Sequence, residues 1–189
     1  MTEYLPGELV LGSPAQEDRD TFRQAGELLA MLHAQSGLVD AAYETNENAK
    51  VLRNLDKTHR IEPNTTTTIR RIIDSWPTHA VALVPTHGDW QPRNWLVAAG
   101  RVSVIDFRRA SLRPPLSDWL RLEARDFRDD PAREAAFVEG YGTDPREPAA
   151  WFRERLREAV NTAVWAHLVG DAPFEAQGHE MIDRVLAET

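Results

Sequence analysis

The residues able to do chemistry concentrate in one stretch, Thr86–Ala110, which reads THGDWQPRNWLVAAGRVSVIDFRRA. Asp89 and Asn94 stand in an irregular segment between apolar runs, and Asp106 follows at the end of the second run. A hairpin turning at Ala98–Gly100 brings strand ends together, so Asp106 is expected to face the loop holding Asp89 and Asn94. Carboxylate and amide oxygens are hard ligands, suited to Mg²⁺ rather than to a soft metal. Such a cation takes one or two protein carboxylates and completes its shell with phosphate oxygens, leaving another carboxylate to act as a base. Two aspartates alone also suit metal-dependent phosphoester hydrolysis, so both reactions stand at this point.

The elements that must position these residues follow from the pattern. Val81–Val84, Trp95–Val97 and Val102–Ile105 are short apolar runs, and the last two read as a small hairpin. Ser13-Pro14-Ala15-Gln16 has the form of a capping box, and Phe22, Ala25, Leu29 and Leu32 continue at helical spacing to His33, with Gly37 closing the element. Asp40–Thr68 is polar and weakly periodic, which predicts a surface loop or short mobile helices. Ile69, Ile72, Ile73 and Trp76 form a helical stripe that Pro77 ends. After Pro114-Pro115 the chain reads as helices over about Ser117–Phe127, Pro131–Gly140, Pro148–Val169 and Phe174–Ala187. The expected class is mainly α with a small β-hairpin, an α+β unit.

Composition narrows the functions. The 189 residues are 42% hydrophobic and 28% charged, ordinary values for a folded domain. No run is long enough to span a membrane, and none after Met1 has the form of a signal peptide. The absence of cysteine excludes disulfides and thiol chemistry and fits a reducing, cytoplasmic compartment. A net charge of −8 argues against a general nucleic-acid partner.

The pattern H-G-D-x-x-x-x-N followed by I-D-F resembles the catalytic loop and metal segment of the aminoglycoside phosphotransferase and choline kinase-like family, relatives of the protein kinases. Flanking segments agree in order. Glu3-Tyr4-Leu5-Pro6-Gly7 is similar to the family hinge, and Leu28–His33 to its first helix. Ser117-Asp118-Trp119-Leu120 resembles its post-catalytic segment, and Phe137–Tyr141 its Phe-x-x-Gly-Tyr helix.

The resemblance implies a protein-kinase-like C-terminal lobe. Residues 1–12 would be a hinge-like connector and 13–189 the lobe, with the catalytic loop and metal segment at 86–110 and a helical substrate region at 117–189. It implies ATP and Mg²⁺ as cofactors and the hydroxyl of a small molecule as phosphate acceptor. Asp89 would be the catalytic base, Asn94 and Asp106 would hold the metal, and His87 and Asp118 would support the site. Glu3, Leu5 and Ile105 would touch the nucleotide; no residue is assigned to the acceptor. The family's N-terminal lobe, with its covering loop and phosphate lysine, has no counterpart in the pattern, since Lys50 and Lys57 are the sole lysines and neither lies on an apolar strand. A lone lobe would expose Tyr4, Leu5, Leu9 and Val10 and offer that face to a second copy or a partner. The alternative is a kinase-like module that binds without turnover.

Neighbouring residues have their own expectations. Trp90 and Trp95 beside a strand read as core. Arg93, Arg108 and Arg109 match phosphate geometry, and Arg108-Arg109 departs from the small or acidic residues the family carries after its metal aspartate. Thr86–Arg128 holds 8 Arg against 5 Asp and Glu, a local +3 that does not favour a cationic acceptor. Glu139, Asp144, Glu147, Glu154, Glu158, Asp171 and Glu175 lie where aminoglycoside-modifying members bind ammonium groups, yet such a run also reads as a solvated face. His33, His59, His79, His167 and His179 lack zinc-like spacing.

Overall fold

The computed structural model describes residues 5–128 and 130–189. In chain order the elements are β1 (Glu8–Leu9), α1 (Arg19–His33), β2 (Leu38–Asp40), α2 (Tyr43–Asn54), α3 (Pro63–Asp74), β3 (Val81–Thr86), β4 (Trp95–Ala98), β5 (Arg101–Val104), β6 (Ser111–Arg113), α4 (Leu120–Leu122), α5 (Pro131–Tyr141), α6 (Pro148–Val169) and α7 (Ala172–Leu186). Short 3₁₀ turns at Pro92–Asn94, Phe107–Arg109 and Pro115–Trp119 join them, and a π-helical stretch, Glu123–Phe127, extends α4. The chain is therefore mostly helical with small sheets. Among the described residues no helix is long and apolar enough to cross a membrane.

Two compact units divide the chain. The first comprises the segment up to Leu38 together with Ala82–Arg146. Its hairpin pairs β4 with β5 in the register Trp95↔Val104 to Ala98↔Arg101, turning through Ala99 and Gly100, both at positive φ. Such a turn matches the right-handed strand twist. β1 pairs with β4 on the other side, and β3 pairs with β6 through Val84↔Arg113 and Thr86↔Ser111. α1 lies directly on α5 because both carry glycine at the crossing. A Cβ on Gly26 would overlap the Phe137 carbonyl, and one on Gly140 the Arg23 carbonyl. Phe22, Trp95, Trp119, Phe127 and Phe137 fill the core beneath, with the Phe22–Trp95 rings edge-on at 5.5 Å and Trp119–Phe137 at 4.8 Å.

The second unit is Val39–Val81 with Glu147–Thr189. Its core joins Val51 and Leu55, Ile69 and Ile73, Leu156 and Val160, and Ile182 and Val185. The polar stretch Asp40–Thr68, expected as a surface loop or short mobile helices, forms α2 and the start of α3, and it contributes Val51, Leu55 and Ile61 to this core. The buried positions of α2 are Tyr43, Glu44, Asn48 and Val51, and two of these four, Glu44 and Asn48, are polar. Arg157 on α6 satisfies them, donating from Nη2 to Asn48 Oδ1 at 2.6 Å and to Glu44 Oε2.

Two further readings change near the N-terminus. Ser13 makes no side-chain cap; Pro14–Gln16 is a separate 3₁₀ turn, and Gln16 accepts from the Gly12 N–H at 2.8 Å. Asp18 caps α1 instead, accepting from Asp20 N at 3.0 Å. Val10 is fully buried rather than exposed, its N–H bonded to the Trp95 carbonyl at 3.0 Å. Leu5 and Leu9 remain exposed. Glu3 and Tyr4 lie outside the described residues.

Candidate active site

The first unit assembles the site. β3 ends at Thr86, and the chain passes through His87-Gly88-Asp89 into the 3₁₀ turn Pro92–Asn94 that starts β4. Gly88 has φ 78° and faces the Arg109 carbonyl and the Arg113 side chain, where a Cβ has no room. At the far end of the hairpin, Ile105 ties both loops: its N–H bonds to the Asn94 carbonyl at 3.0 Å, and its own carbonyl accepts from His87 Nε2 at 2.9 Å. Asp106 follows in the left-handed region, φ 65° and ψ 60°.

This brings Asp89, Asn94 and Asp106 into the lining of one open cavity of about 570 Å³, together with Arg93, Arg108 and Arg109. The hairpin brings the three expected residues together. Leu5 and Ile105 do not line it, and Ile105 contributes through its backbone.

Asp89 is nearly buried. Its Oδ1 accepts from Gln91 Nε2 and lies 3.2 Å from Arg121 Nε, while Oδ2 accepts from Arg93 Nη2 at 2.7 Å and Asn94 Nδ2 at 3.0 Å. Burial pushes its pKa upward, but the bonds from Arg93 and Asn94 and the charges of Arg121 and Arg93 outweigh that, and it lies below the usual carboxylate range. Asn94 Nδ2 also donates to the Asp89 carbonyl at 2.8 Å, so the amide nitrogen is turned toward Asp89 and the oxygen is its other end. Asp106 is held by Arg108, Nε to Oδ1 at 2.8 Å and Nη2 to Oδ2 at 3.0 Å, and these bonds lower its pKa.

His87 is fully buried. Its Nδ1 receives the Asp89 N–H at 3.2 Å and its Nε2 meets a carbonyl, so only the neutral tautomer protonated on Nε2 satisfies both. Asp118, also buried, accepts the His87 N–H at 2.8 Å and the Gly88 N–H at 2.6 Å. His33, at the end of α1, lies 3.2 Å from the Asp118 carboxylate through Nε2 and 2.8 Å from the Tyr141 hydroxyl through Nδ1. Trp90 and Trp95 are core, with Trp90 edge-to-face against both His87 and Trp95.

Sequence reasoning missed Gln91 and Arg121 as partners of Asp89, and His33 as a partner of Asp118. Gln91 sits within the motif, but Arg121 and His33 reach the site from distant elements and carry no spacing signal. Five of the seven acidic residues named after Phe137 are engaged locally. Glu147 caps α6 and Asp171 caps α7. Asp144 pairs with Arg146, Glu154 with Arg157, and Glu175 with His167.

A divalent cation fits the donor set of Asp106 and the Asn94 oxygen in chemistry: hard oxygens, few in number. Among the described residues, no group of three His, Cys, Asp or Glu side chains forms a complete cage. The combination suits a cation that shares its shell with phosphate oxygens.

A mostly helical fold with small sheets presents this carboxylate–amide–carboxylate cavity. The model of the phosphotransferase enzyme family, APH, matches residues 1–152, and the chain belongs to that family. Among solved structures, the chain is similar to the choline kinase LicA from Streptococcus pneumoniae, at 15% identity and TM-score 0.66, covering 90% of this chain and 64% of that one. It is similar to a choline/ethanolamine kinase family protein from Mesorhizobium loti, at 20% identity and TM-score 0.64, covering 98% and 68%. A thermostable mutant of aminoglycoside phosphotransferase APH(4)-Ia, solved with ADP and hygromycin B, matches at 14% identity and TM-score 0.71, covering 96% and 69%. The chain thus spans about two thirds of these enzymes' length. No curated protein is a significant match.

Proposed function

We propose that the chain carries the catalytic side of an ATP- and Mg²⁺-dependent phosphotransferase that moves the γ-phosphoryl group to a hydroxyl of a small molecule. The observation that carries this reading is the single cavity lined by Asp89, Asn94 and Asp106. When bound, Mg²⁺ neutralises phosphate-oxygen charge, the main demand of phosphoryl transfer. Asp106 and the Asn94 oxygen are the residues to hold it.

Asp89, with its depressed pKa, is ionised at neutral pH. It accepts a hydrogen bond from the acceptor hydroxyl, orients it, and takes its proton as the oxygen is phosphorylated. Asp89 Oδ2 already accepts from two donors, while Oδ1 accepts from Gln91 and faces the Arg121 charge, so a hydroxyl reaching Oδ2 must displace a donor. Arg93 is the candidate to yield, because its side chain is 44% exposed while Gln91 and Asn94 are buried. His87 transfers no proton in this scheme, since both its nitrogens are engaged. Asp118 is a positioning residue acting through the His87 and Gly88 amides. No lysine lines the cavity, and Lys50 and Lys57 bond to Glu47 and Asn54.

Calorimetric titration with ADP, with and without Mg²⁺, tests the assignment on the wild type and Asp106→Ala. The variant is expected to lose the metal-dependent part of the affinity. Equal metal dependence in both proteins removes Asp106 from the metal site.

A further inference from the structure

Three guanidinium groups and two carboxylates line the cavity. Arg93 is paired with Asp89 and Arg108 with Asp106. Among the described residues, Arg109 has no carboxylate partner. Its side chain is an uncompensated cation in a concave site, an arrangement that concentrates anions.

The backbone that carries Arg109 is fixed. Its carbonyl accepts from Arg113 Nη1 at 3.1 Å, and the same nitrogen donates to Thr86 Oγ1 at 3.2 Å. Thr86 and Ser111 are paired across β3 and β6, and glycine at position 88 lets the Arg109 carbonyl pack against the turn that delivers Asp89. The Arg109 backbone is therefore held beside the turn that delivers Asp89, and its exposed side chain lines the same cavity.

Five of the seven acidic residues singled out after Phe137 are held by local partners. Glu147 and Asp171 cap helices, and Asp144, Glu154 and Glu175 are engaged by Arg146, Arg157 and His167.

We propose that Arg109 anchors an oxyanion subsite for the acceptor, so that the acceptor is a hydroxyl compound bearing a phosphate or carboxylate. This rests on the phosphotransferase reading of the same cavity. A guanidinium presents paired N–H donors that fit either oxyanion.

The test titrates wild type and Arg109→Gln with glycerol phosphate, glycerate, glycerol and choline, without nucleotide, and then with Mg·ADP. Arg109 is exposed, so the variant is expected to fold. At least one anion should bind the wild type about tenfold or more tighter than glycerol, the scale of one charge-assisted hydrogen bond. Arg109→Gln should lose that margin while its Mg·ADP affinity stays within about twofold, well under the effect of losing such a bond. The proposal is overturned by anion affinities equal in both proteins or equal to glycerol's, or by tighter binding of choline than of the anions. It is equally overturned by a matching fall in Mg·ADP affinity, which assigns Arg109 to the nucleotide. Absence of Mg·ADP binding to the wild type strikes the phosphotransferase reading instead, and the anion titrations still decide whether Arg109 binds an oxyanion.

Discussion

Arg108 grips Asp106 from two positions away, its Nε and Nη2 meeting one carboxylate oxygen each at 2.8 and 3.0 Å. The guanidinium occupies the oxygens a metal would need. Because the Arg108 side chain is 88% exposed, the pair is weakly held and can open. Arg108→Ala is therefore expected to raise Mg·ADP affinity by roughly two- to fivefold, the range of an exposed ion pair. Calorimetry at low and moderate salt checks this: the gain should shrink as salt screens the pair. No gain at low salt means that Arg108 does not compete.

Asp89→Asn should reduce turnover on any accepted hydroxyl compound by about a hundredfold or more, the scale of a lost general base. An irregular loop suggests a residue of little weight in folding, but Asp89 sits among Gln91, Arg93, Asn94 and Arg121. Neutralising it leaves Arg121 without this counter-charge, and about 1–3 kcal/mol of stability should go as well. Denaturant unfolding beside single-turnover kinetics separates the two losses. Full activity in the variant eliminates Asp89 from the chemistry.

The motif residues were legible because they are local: one loop and one hairpin bring Asp89, Asn94 and Asp106 into the same cavity, and a hairpin is readable from alternation and a turn. α2 was hidden because two of its buried residues are the polar Glu44 and Asn48, which the distant Arg157 and Arg153 make tolerable. The Ser13 cap was misread because Pro14 starts a turn as well as a helix, and Gln16 turned back to Gly12. The Arg121 and His33 contacts depend on tertiary placement, which no spacing encodes.

Asp126, on the π-helical stretch, is buried, and burial pushes its pKa up to about 6 despite the nearby Arg133 and Arg125. The folded state then holds a proton that the unfolded chain releases near pH 3.9. Its contribution favours folding below the unfolded value and is lost as pH rises through about 6. Asp126→Asn should thus raise the thermal midpoint by about a few degrees at pH 8 and change it little at pH 4. Melting curves across that range check the sign; a variant less stable at pH 8 contradicts it.

Gly140→Ala should destabilise the protein by about 1–3 kcal/mol, because the added methyl meets the Arg23 backbone rather than a movable side chain. Denaturant midpoints report the loss. An unchanged midpoint means that α1 and α5 separate without cost.

Asp106 occupies a left-handed backbone conformation that asparagine and glycine adopt at least as readily. Its ion pair with Arg108 is exposed and adds little. Replacement by either residue would therefore pass unnoticed by folding while removing the charge that a metal needs. Cellular abundance would not reveal the event: a descendant carrying such a change would accumulate normally and keep its shape, and on the phosphotransferase reading it would be a pseudoenzyme one codon away from its ancestor.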